Sequence, residues 1–149
     1  MKVSPDLCST ELSTDQPRVY RLPEGLVGFS HHRSFTLSSV PDQAPFLWLH
    51  LQGPDPLNFV VLEPNGVFPN YEMELFDEDA QALGIKESGD ALVFNIVTVR
   101  NDAPQEATVN LAGPIVVNRH TGVGKQCILA NYFRYSAHHP LVESSDAAR

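Results

Sequence analysis

Proline interrupts this chain so often that a helical fold is excluded from most of its length. The 149 residues include 12 prolines, nine of which stand at positions 23, 41, 45, 54, 56, 64, 69, 104 and 114, and a helix interior tolerates none of them. Between the prolines lie short runs rich in β-forming residues, at 18–22, 34–39, 46–51, 59–63, 71–75, 91–100, 107–112, 115–118 and 126–130. Nine such runs separated by turn residues predict an all-β barrel or sandwich, and we expect a small antiparallel β-barrel with one short helix.

The run at 91–100 has the clearest strand pattern. Leu92, Phe94 and Ile96 would share one face, with Val93 and Val97 on the other. Because both faces are mostly apolar, we expect a central strand that is covered on each side.

Residues 71–75 show a different strand pattern, because apolar and charged side chains alternate there. The alternation predicts Tyr71, Met73 and Leu75 pointing inward, with Glu72 and Glu74 in water. It therefore predicts a strand with one buried face.

The turn residues predict a hairpin and a helix. The runs 115–118 and 126–130 flank the turn-rich segment 120–124, which is typical of a β-hairpin. Asp77-Glu78-Asp79 could cap a short helix and place negative charge in its first turn, and Gly84 could end that helix in the left-handed conformation.

Length and composition bound the class of protein. A chain of 149 residues fits one domain, so we expect residues 1–149 to form a single domain with flexible ends at about 1–14 and 141–149. The formal net charge of −8 argues against nucleic acid and anionic lipid as partners, because phosphates would repel the average surface. Two cysteines are too few for a secreted disulfide scaffold. No signal-peptide pattern or membrane-length apolar run is present, so we expect a soluble cytoplasmic protein.

Residue patterns typical of catalysis are weak. The pairs His31-His32 and His138-His139 are adjacent, and neighbours in a strand point to opposite faces, so neither pair chelates a metal by itself. Gly122-Val-Gly124-Lys125 lacks the first glycine and the Ser or Thr of a phosphate loop, which favours a hairpin turn. Cys8 and Cys127 have no basic neighbour beside them to favour a thiolate. We predict a protein that is not an enzyme and has no cofactor or metal.

Acidic residues are concentrated in one part of the chain. Positions 72–90 hold seven acids against one lysine, so six of the eight net negative charges fall there. One interpretation is a solvated face that keeps the protein soluble. The other is a docking face for a basic partner, whose binding complementary charge accelerates. The candidate residues for that face are Glu72, Glu74, Asp77, Glu78 and Asp79.

Two aromatic residues lie next to the acidic segment. Phe68 and Tyr71 bracket Pro69-Asn70, and aromatic residues bordered by charge are typical interface anchors, so both join the predicted partner-binding residues. An aromatic beside a proline turn is more often a plug that closes the end of a barrel, and that alternative stays open.

Several segments together resemble the family of the flagellar assembly factor FliW. They are Leu22-Pro-Glu-Gly-Leu-Val-Gly-Phe29, Pro45-Phe-Leu-Trp-Leu-His-Leu51, Phe59-Val-Val-Leu-Glu-Pro64 with Tyr71, Ala107-Thr-Val-Asn-Leu-Ala-Gly-Pro-Ile-Val-Val-Asn118 and Gln126-Cys-Ile-Leu129. The resemblance covers about residues 18–140, and the block that begins at Ala107 is its most specific part.

The resemblance implies a small β-barrel module that binds proteins and catalyses nothing. Its expected partners are flagellin and the translational repressor CsrA, a small basic RNA-binding dimer. Free flagellin would occupy the module, and export of flagellin would release it to bind CsrA and lift repression. We expect a monomer when it is free. Two alternatives stay open, a flagellin chaperone or export adaptor without a regulatory role, and a cofactor-binding split-barrel enzyme.

Overall fold

The computed structural model of the protein describes residues 1–4, 18–39, 42, 46–64, 67–68, 70–99 and 106–141. Within these ranges the chain forms eleven strands, one α-helix and two 3-10 helices. The strands are β1 (Lys2–Val3), β2 (Tyr20–Arg21), β3 (Ser34–Ser39), β4 (Phe46–Gln52), β5 (Leu57–Leu62), β6 (Met73–Glu74), β7 (Ala91–Thr98), β8 (Thr108–Val109), β9 (Ile115–Asn118), β10 (Gly124–Gln126) and β11 (His139–Pro140). Helix α1 spans Asp77–Leu83, and the 3-10 helices span Ser88–Asp90 and Tyr132–Arg134.

Most of the strands belong to one antiparallel ladder. Neighbours hydrogen-bond in the order β10-β9-β7-β5-β4-β3-β2. Strand β8 pairs with β7 and β11 beside this path, whereas β1 and β6 form a separate two-stranded sheet. The longest registers join β4 to both of its neighbours, where Leu49 lies opposite Leu37 on β3 and Phe59 on β5.

The prediction of an all-β fold with one short helix is confirmed, but the predicted closed barrel is not. The ladder is an open path of strands. Its two ends approach each other at an isolated parallel bridge between Arg21 and Val123, where the Arg21 amide donates to the Gly122 carbonyl at 2.8 Å. A single bridge is not a paired strand, so the sheet is curved but not continuously closed.

The buried apolar side chains form two clusters. The first cluster draws on β2, β3, β4, β5, β7 and β9 and comprises Tyr20, Leu22, Leu26, Phe35, Leu37, Leu47, Leu49, Leu51, Val61, Leu92, Phe94, Ile115 and Val117. The second cluster packs β1, β6, α1 and β8 against β5, β7 and β9, and comprises Val3, Leu62, Tyr71, Met73, Leu75, Leu83, Ile85, Ala91, Val93, Val97, Ala107, Val109, Leu111, Val116, Cys127 and Leu129.

Strand β7 separates the two clusters. Leu92 and Phe94 enter the first cluster, while Val93 and Val97 enter the second. Strands β5 and β9 pair with β7 on its two edges. The sequence prediction of a central strand covered on both faces is therefore confirmed.

Helix α1 lies where it was predicted, although its beginning differs. Asp77 and its two acidic neighbours occupy the first turn, but the N-cap residue is Phe76 and no side chain caps the helix. Gly84 ends the helix at φ 70°, in the left-handed conformation that glycine adopts without steric cost. The predicted C-terminal glycine is confirmed and the predicted acidic cap is wrong.

The predicted hairpin is confirmed, with its second strand displaced toward the turn. Strand β9 pairs with β10 so that Val117 lies opposite Gly124, two positions before the predicted start of that strand at Gln126. Because β10 ends at Gln126, the later part of the predicted run is not a strand.

Asn118 organises the turn of this hairpin. Its side-chain oxygen accepts hydrogen bonds from the amides of His120 at 2.8 Å and Thr121 at 3.2 Å. Its side-chain nitrogen donates to the carbonyl of Leu83 at 2.8 Å. One buried asparagine therefore ties the hairpin turn to the end of α1.

The N-terminal residues form a short strand. Lys2 and Val3 form β1 and pair with Glu74 and Met73 on β6, within the range for which the sequence predicted a flexible end. Residues 5–14 and 142–149 of the predicted flexible ends, and Cys8, lie outside the described residues. Among the helices of the described ranges, none is long and apolar enough to cross a bilayer.

Candidate functional site

The predicted acidic residues lie along β6 and the first turn of α1. We call Glu72, Glu74, Asp77, Glu78 and Asp79 the acidic strip. Glu72 and Asp77 are exposed, Glu74 is half-buried and Asp79 is largely buried. The strip therefore contains both solvent-facing and structural carboxylates.

Neighbouring cations already neutralise much of the strip. The Glu72 carboxylate pairs with the guanidinium of Arg134 at 3.0 Å. The amino group of Met1 lies 3.4 Å from a Glu74 oxygen and 3.5 Å from an Asp77 oxygen. Exposed pairs of this kind contribute about 0–1 kcal/mol. Glu78 is exposed and has no ion pair with any residue in the described ranges, which makes it the freest charge of the strip.

Asp79 has a structural role within the strip. Lys125 on β10 donates to its carboxylate at 2.7 Å, and Glu24 lies 3.7 Å from the same ammonium group. The hydrogen bond to Asp79 raises the pKa of Lys125. Because the pair joins α1 to the hairpin, Asp79 offers less charge to a partner than the sequence suggests.

Tyr71 is buried in the second cluster and is not an exposed anchor. Its ring is only 3% exposed, and Met73 and Leu75 point inward with it, as the alternation predicts. The Tyr71 hydroxyl donates to the carbonyl of Leu111 and accepts a hydrogen bond from the side-chain nitrogen of Asn95 at 3.2 Å. Burial raises the pKa of Tyr71 above its usual value. The predicted anchor is thus a core residue.

Phe68 occupies an intermediate position. Its ring is partly buried against the second cluster and contacts Tyr71 and His139, at centroid distances of 6.4 Å and 5.5 Å. Tyr71 in turn meets the ring of Tyr135 edge to face at 4.9 Å. These contacts agree with the alternative interpretation of Phe68 and Tyr71 as residues that plug one edge of the core.

A groove of about 570 Å³ opens beside these aromatic rings. Its size falls in the range of small-molecule sites, about 300–1,000 Å³. Arg134 is at the rim of this groove and is already paired with Glu72. The lining residues are Val67, Phe68, Asn70, Tyr71, Leu111, Arg134, Tyr135, Ser136, His139, Pro140 and Leu141.

Four exposed aromatic residues in the described ranges were not singled out by the sequence analysis, namely Trp48, Phe76, Tyr132 and Phe133, and the last two are the most exposed and are adjacent. Tyr132 and Phe133 lie in the second 3-10 helix, 55% and 78% exposed, and their rings meet at a centroid distance of 6.3 Å. We call this pair the aromatic ridge. The sequence does show two adjacent aromatic residues followed by Arg134. Adjacency alone, however, does not predict which aromatic rings are exposed to solvent.

The aromatic ridge lies directly beside the acidic strip. The Ala130 amide donates to the Glu74 carbonyl at 2.7 Å, and the Glu74 amide donates to the Asn131 side chain at 3.2 Å. The Asn131 side chain donates in return to the Glu72 carbonyl at 2.8 Å. The structure therefore brings together exposed acids and exposed aromatics that are about 60 positions apart in the sequence.

The other candidate reactive groups have structural surroundings. Burial raises the pKa of the Cys127 thiol to about 12, so the group is a protonated thiol at neutral pH. The amides of Lys86 and Glu87, followed by the His120 ring 3.0 Å away, lower the pKa of Asp90. Within the described residues, no group of three or more His, Cys, Asp or Glu side chains could hold a metal ion.

Comparisons with known proteins agree on one family. A family model described as FliW protein matches residues 7–141. The flagellar assembly factor FliW of Thermosipho africanus is 35% identical over 135 residues, which is 91% of this chain and 92% of that protein. The protein of the same name from Thermotoga neapolitana is 32% identical over 149 residues, which is 100% of this chain and 98% of that protein. A crystal structure of the flagellar assembly factor FliW superimposes with a TM-score of 0.73 at 32% identity, covering 97% of this chain and 99% of that one.

Proposed function

This chain belongs to the FliW family, and on that basis we propose that it is a flagellar assembly factor that works by binding other proteins and not by catalysis. Its partners in this proposal are flagellin and the translational repressor CsrA. Binding of flagellin would occupy the protein, and export of flagellin would release it to antagonise CsrA. Flagellin synthesis would thereby follow flagellin export.

The observation that carries the proposal is the exposed surface where the acidic strip meets the aromatic ridge. Interfaces are enriched in aromatic side chains, and opposite charge accelerates association with the correct partner. A chain with a net charge of −8 is suited to a basic protein and unsuited to competing for RNA directly. Both features favour a protein-binding role.

The proposal of a non-enzymatic role is supported by the state of the reactive groups. The Cys127 thiol is protonated and buried, and the exposed His120 is engaged with Asp90. A nucleophilic thiol needs a lowered pKa or an adjacent base. The surroundings of Cys127 provide neither. These groups support the structure of the hairpin and its surroundings.

In this mechanism, CsrA bound to the protein is inhibited through a coupling between two sites on CsrA. A partner that binds away from the RNA surface can lower RNA affinity by stabilising a CsrA conformation that disfavours RNA, or by bringing negative charge close to the RNA. Flagellin meets this protein before export, and CsrA acts on translation, so we propose that the protein works in the cytoplasm. We also propose that it is a monomer when no partner is bound.

The test is co-purification with flagellin and CsrA, followed by size exclusion and calorimetric titration of each purified partner. Binding of both partners supports the proposal, and retention of flagellin alone supports an export adaptor without regulatory role. Binding of neither partner contradicts the proposal. A yellow protein with flavin absorbance would instead favour the split-barrel enzyme, with the groove as its site.

Charge reversal examines the acidic strip directly. The triple change of Glu72, Glu74 and Glu78 to Lys should weaken CsrA binding, and the loss should shrink as salt rises, because surface charges are screened over about 8 Å at physiological salt. Glu78→Lys alone avoids breaking the ion pairs of the other two. Asp55→Lys, an equal charge change in the turn between β4 and β5, is the matched control. Wild-type affinity of the triple variant at low salt would remove the strip from the interface.

A further inference from the structure

The aromatic ridge follows a segment in which buried and exposed apolar side chains alternate. Cys127 and Leu129 are fully buried in the second cluster, while Ile128 between them is half exposed. Tyr132 and Phe133 then follow with more than half of each side chain in water. Contiguous exposed apolar side chains rimmed by polar residues mark interaction sites in soluble proteins.

The ridge is held rigidly although its side chains are free. Besides the three hydrogen bonds between 130–131 and residues 72–74, Arg134 donates to the Glu72 carboxylate at 3.0 Å and the Glu72 amide donates to the Tyr135 hydroxyl at 2.7 Å. These contacts bracket the ridge on both sides. A preorganised anchor costs less conformational entropy on binding than a mobile one does.

The chain beside the ridge is acidic. The residues that bracket the ridge hydrogen-bond to Glu72 and Glu74, and Asp77 and Glu78 follow these two along the chain, with Asp77 98% exposed. Arg134 pairs with Glu72, and the amino group of Met1 pairs with both Glu74 and Asp77, so these cations offset part of the charge of the carboxylates. Glu78, which has no ion pair within the described ranges, adds to the excess negative charge. Lysine and arginine side chains are attracted both by carboxylates and by the faces of tyrosine and phenylalanine rings. The surface therefore offers two independent reasons to prefer a cationic partner.

We propose that the aromatic ridge is the anchor of a docking surface for a basic protein segment, one that places a large apolar side chain between lysine or arginine residues. The partner's apolar side chain packs on Tyr132 and Phe133, and its cations meet the acidic strip. This inference rests on the proposed function, in which CsrA is the basic partner. It assigns the anchoring role to residues other than Phe68 and Tyr71.

Calorimetric titration of CsrA into Phe133→Ala and Tyr132→Ala tests the assignment, with purified flagellin as the second titrant. Trp48→Ala is the matched control, because Trp48 is a similarly solvent-facing aromatic, 39% exposed, on β4 between β3 and β5. Aromatic hot spots contribute at least about 2 kcal/mol, so we expect CsrA affinity to fall about 30-fold in Phe133→Ala. Urea unfolding of each variant verifies that the fold is intact.

The salt dependence of CsrA affinity distinguishes the apolar contribution of the ridge from the electrostatic contribution of the acidic strip. The loss in Phe133→Ala should persist between low and high salt, whereas the loss in Glu78→Lys should shrink. Wild-type CsrA affinity in both ridge variants overturns this inference while leaving the proposed function intact. An equal loss in Trp48→Ala, or a loss confined to flagellin, also overturns it. Binding of neither partner by the wild-type protein overturns the inference and the proposed function together.

Discussion

Replacement of Tyr71 by phenylalanine removes one buried hydroxyl and tests whether this residue serves the core or a partner. The hydroxyl donates to the Leu111 carbonyl and accepts from the side-chain nitrogen of Asn95. Phenylalanine keeps the ring and its edge-to-face contact with Tyr135. The change therefore isolates the polar part of the contribution that Tyr71 makes.

The magnitude follows from the groups that lose a partner. The side-chain nitrogen of Asn95 keeps its hydrogen bond to the Asn110 carbonyl at 2.9 Å. The Leu111 carbonyl, in a residue only 4% exposed, loses the phenol as a donor, and an unsatisfied buried polar group costs about 1–3 kcal/mol. We expect Tyr71→Phe to lower the free energy of unfolding by about 2 kcal/mol, which for a chain of this size lowers Tm by roughly 4–8 °C.

Urea unfolding followed by circular dichroism measures this difference. The midpoint should fall while the m-value stays constant, because the surface exposed on unfolding hardly changes. Tyr132→Phe makes the same chemical change on the exposed ridge and should stay within about 0.5 kcal/mol of the wild type.

Two results would refute the reasoning. A Tyr71→Phe protein with the wild-type midpoint would mean that the hydroxyl contributes nothing to folding. A variant of unchanged stability that binds CsrA or flagellin more weakly would restore Tyr71 as the surface anchor that the sequence suggested.

Three further predictions concern stability. Asn118→Ala should lower the free energy of unfolding by about 3 kcal/mol in urea, since the buried Leu83 carbonyl and two turn amides lose a partner; a loss below about 1 kcal/mol would contradict this role. Gly84→Ala should cost about 1–2 kcal/mol because its φ is 70°, whereas Gly89→Ala, in open space and without a positive φ, should be nearly neutral by thermal unfolding. Burial raises the pKa of Cys127 from 9.0 to about 12, so the folded state keeps a proton that the unfolded chain loses, and stability should fall by up to about 1.4 kcal/mol per pH unit above pH 9. Cys127→Ala should lack this component in a pH series of urea unfolding, and an unchanged slope would show that the thiol does not titrate with unfolding.

The sequence predicts those parts of the fold that local chemistry determines. Strand β7 can be predicted because a strand that is apolar on both faces must be covered by other layers on both faces. The end of helix α1 at Gly84 can be predicted because glycine favours the left-handed conformation in which helices often end. Asn110 and Asn118 accept hydrogen bonds from loop amides, which is the local bonding that asparagine side chains favour.

The sequence does not predict contacts between distant short segments. Strands β1 and β6 have two residues each and pair across 70 to 72 positions. The alternation at 71–75 predicts a strand around β6, but β1 is too short for a periodic signal and neither segment identifies its partner. Tyr71 shows a conflict between two predictions, since alternation placed it inward and the neighbouring charge suggested an exposed anchor. The alternation was right, because burying an aromatic ring and satisfying its hydroxyl in the core outweighs proximity to charged residues in the sequence.

The aromatic ridge was missed for a related reason. Tyr132 and Phe133 lie beside the acidic strip because their neighbours in the chain hydrogen-bond to Glu72 and Glu74. Neither the sequence around 72–74 nor the sequence around 130–135 contains a pattern that predicts this contact. The acidic part of the predicted site stays a prediction, and the apolar part that we propose for it lies on another stretch of chain.

The meeting point of the two ladder ends has a consequence for the order in which this molecule assembles and opens. It consists of the Arg21 amide on Gly122 and the Arg18 guanidinium on the Arg119 carbonyl, residues 101 positions apart in the chain. Closing so long a loop carries a high entropic cost for few bonds. We expect this junction to form after the β3-β4-β5 meander during folding. We also expect it to be the first part of the sheet to open locally in the native protein. Hydrogen exchange should accordingly reach the Arg21 amide well before the amides in the middle of β4.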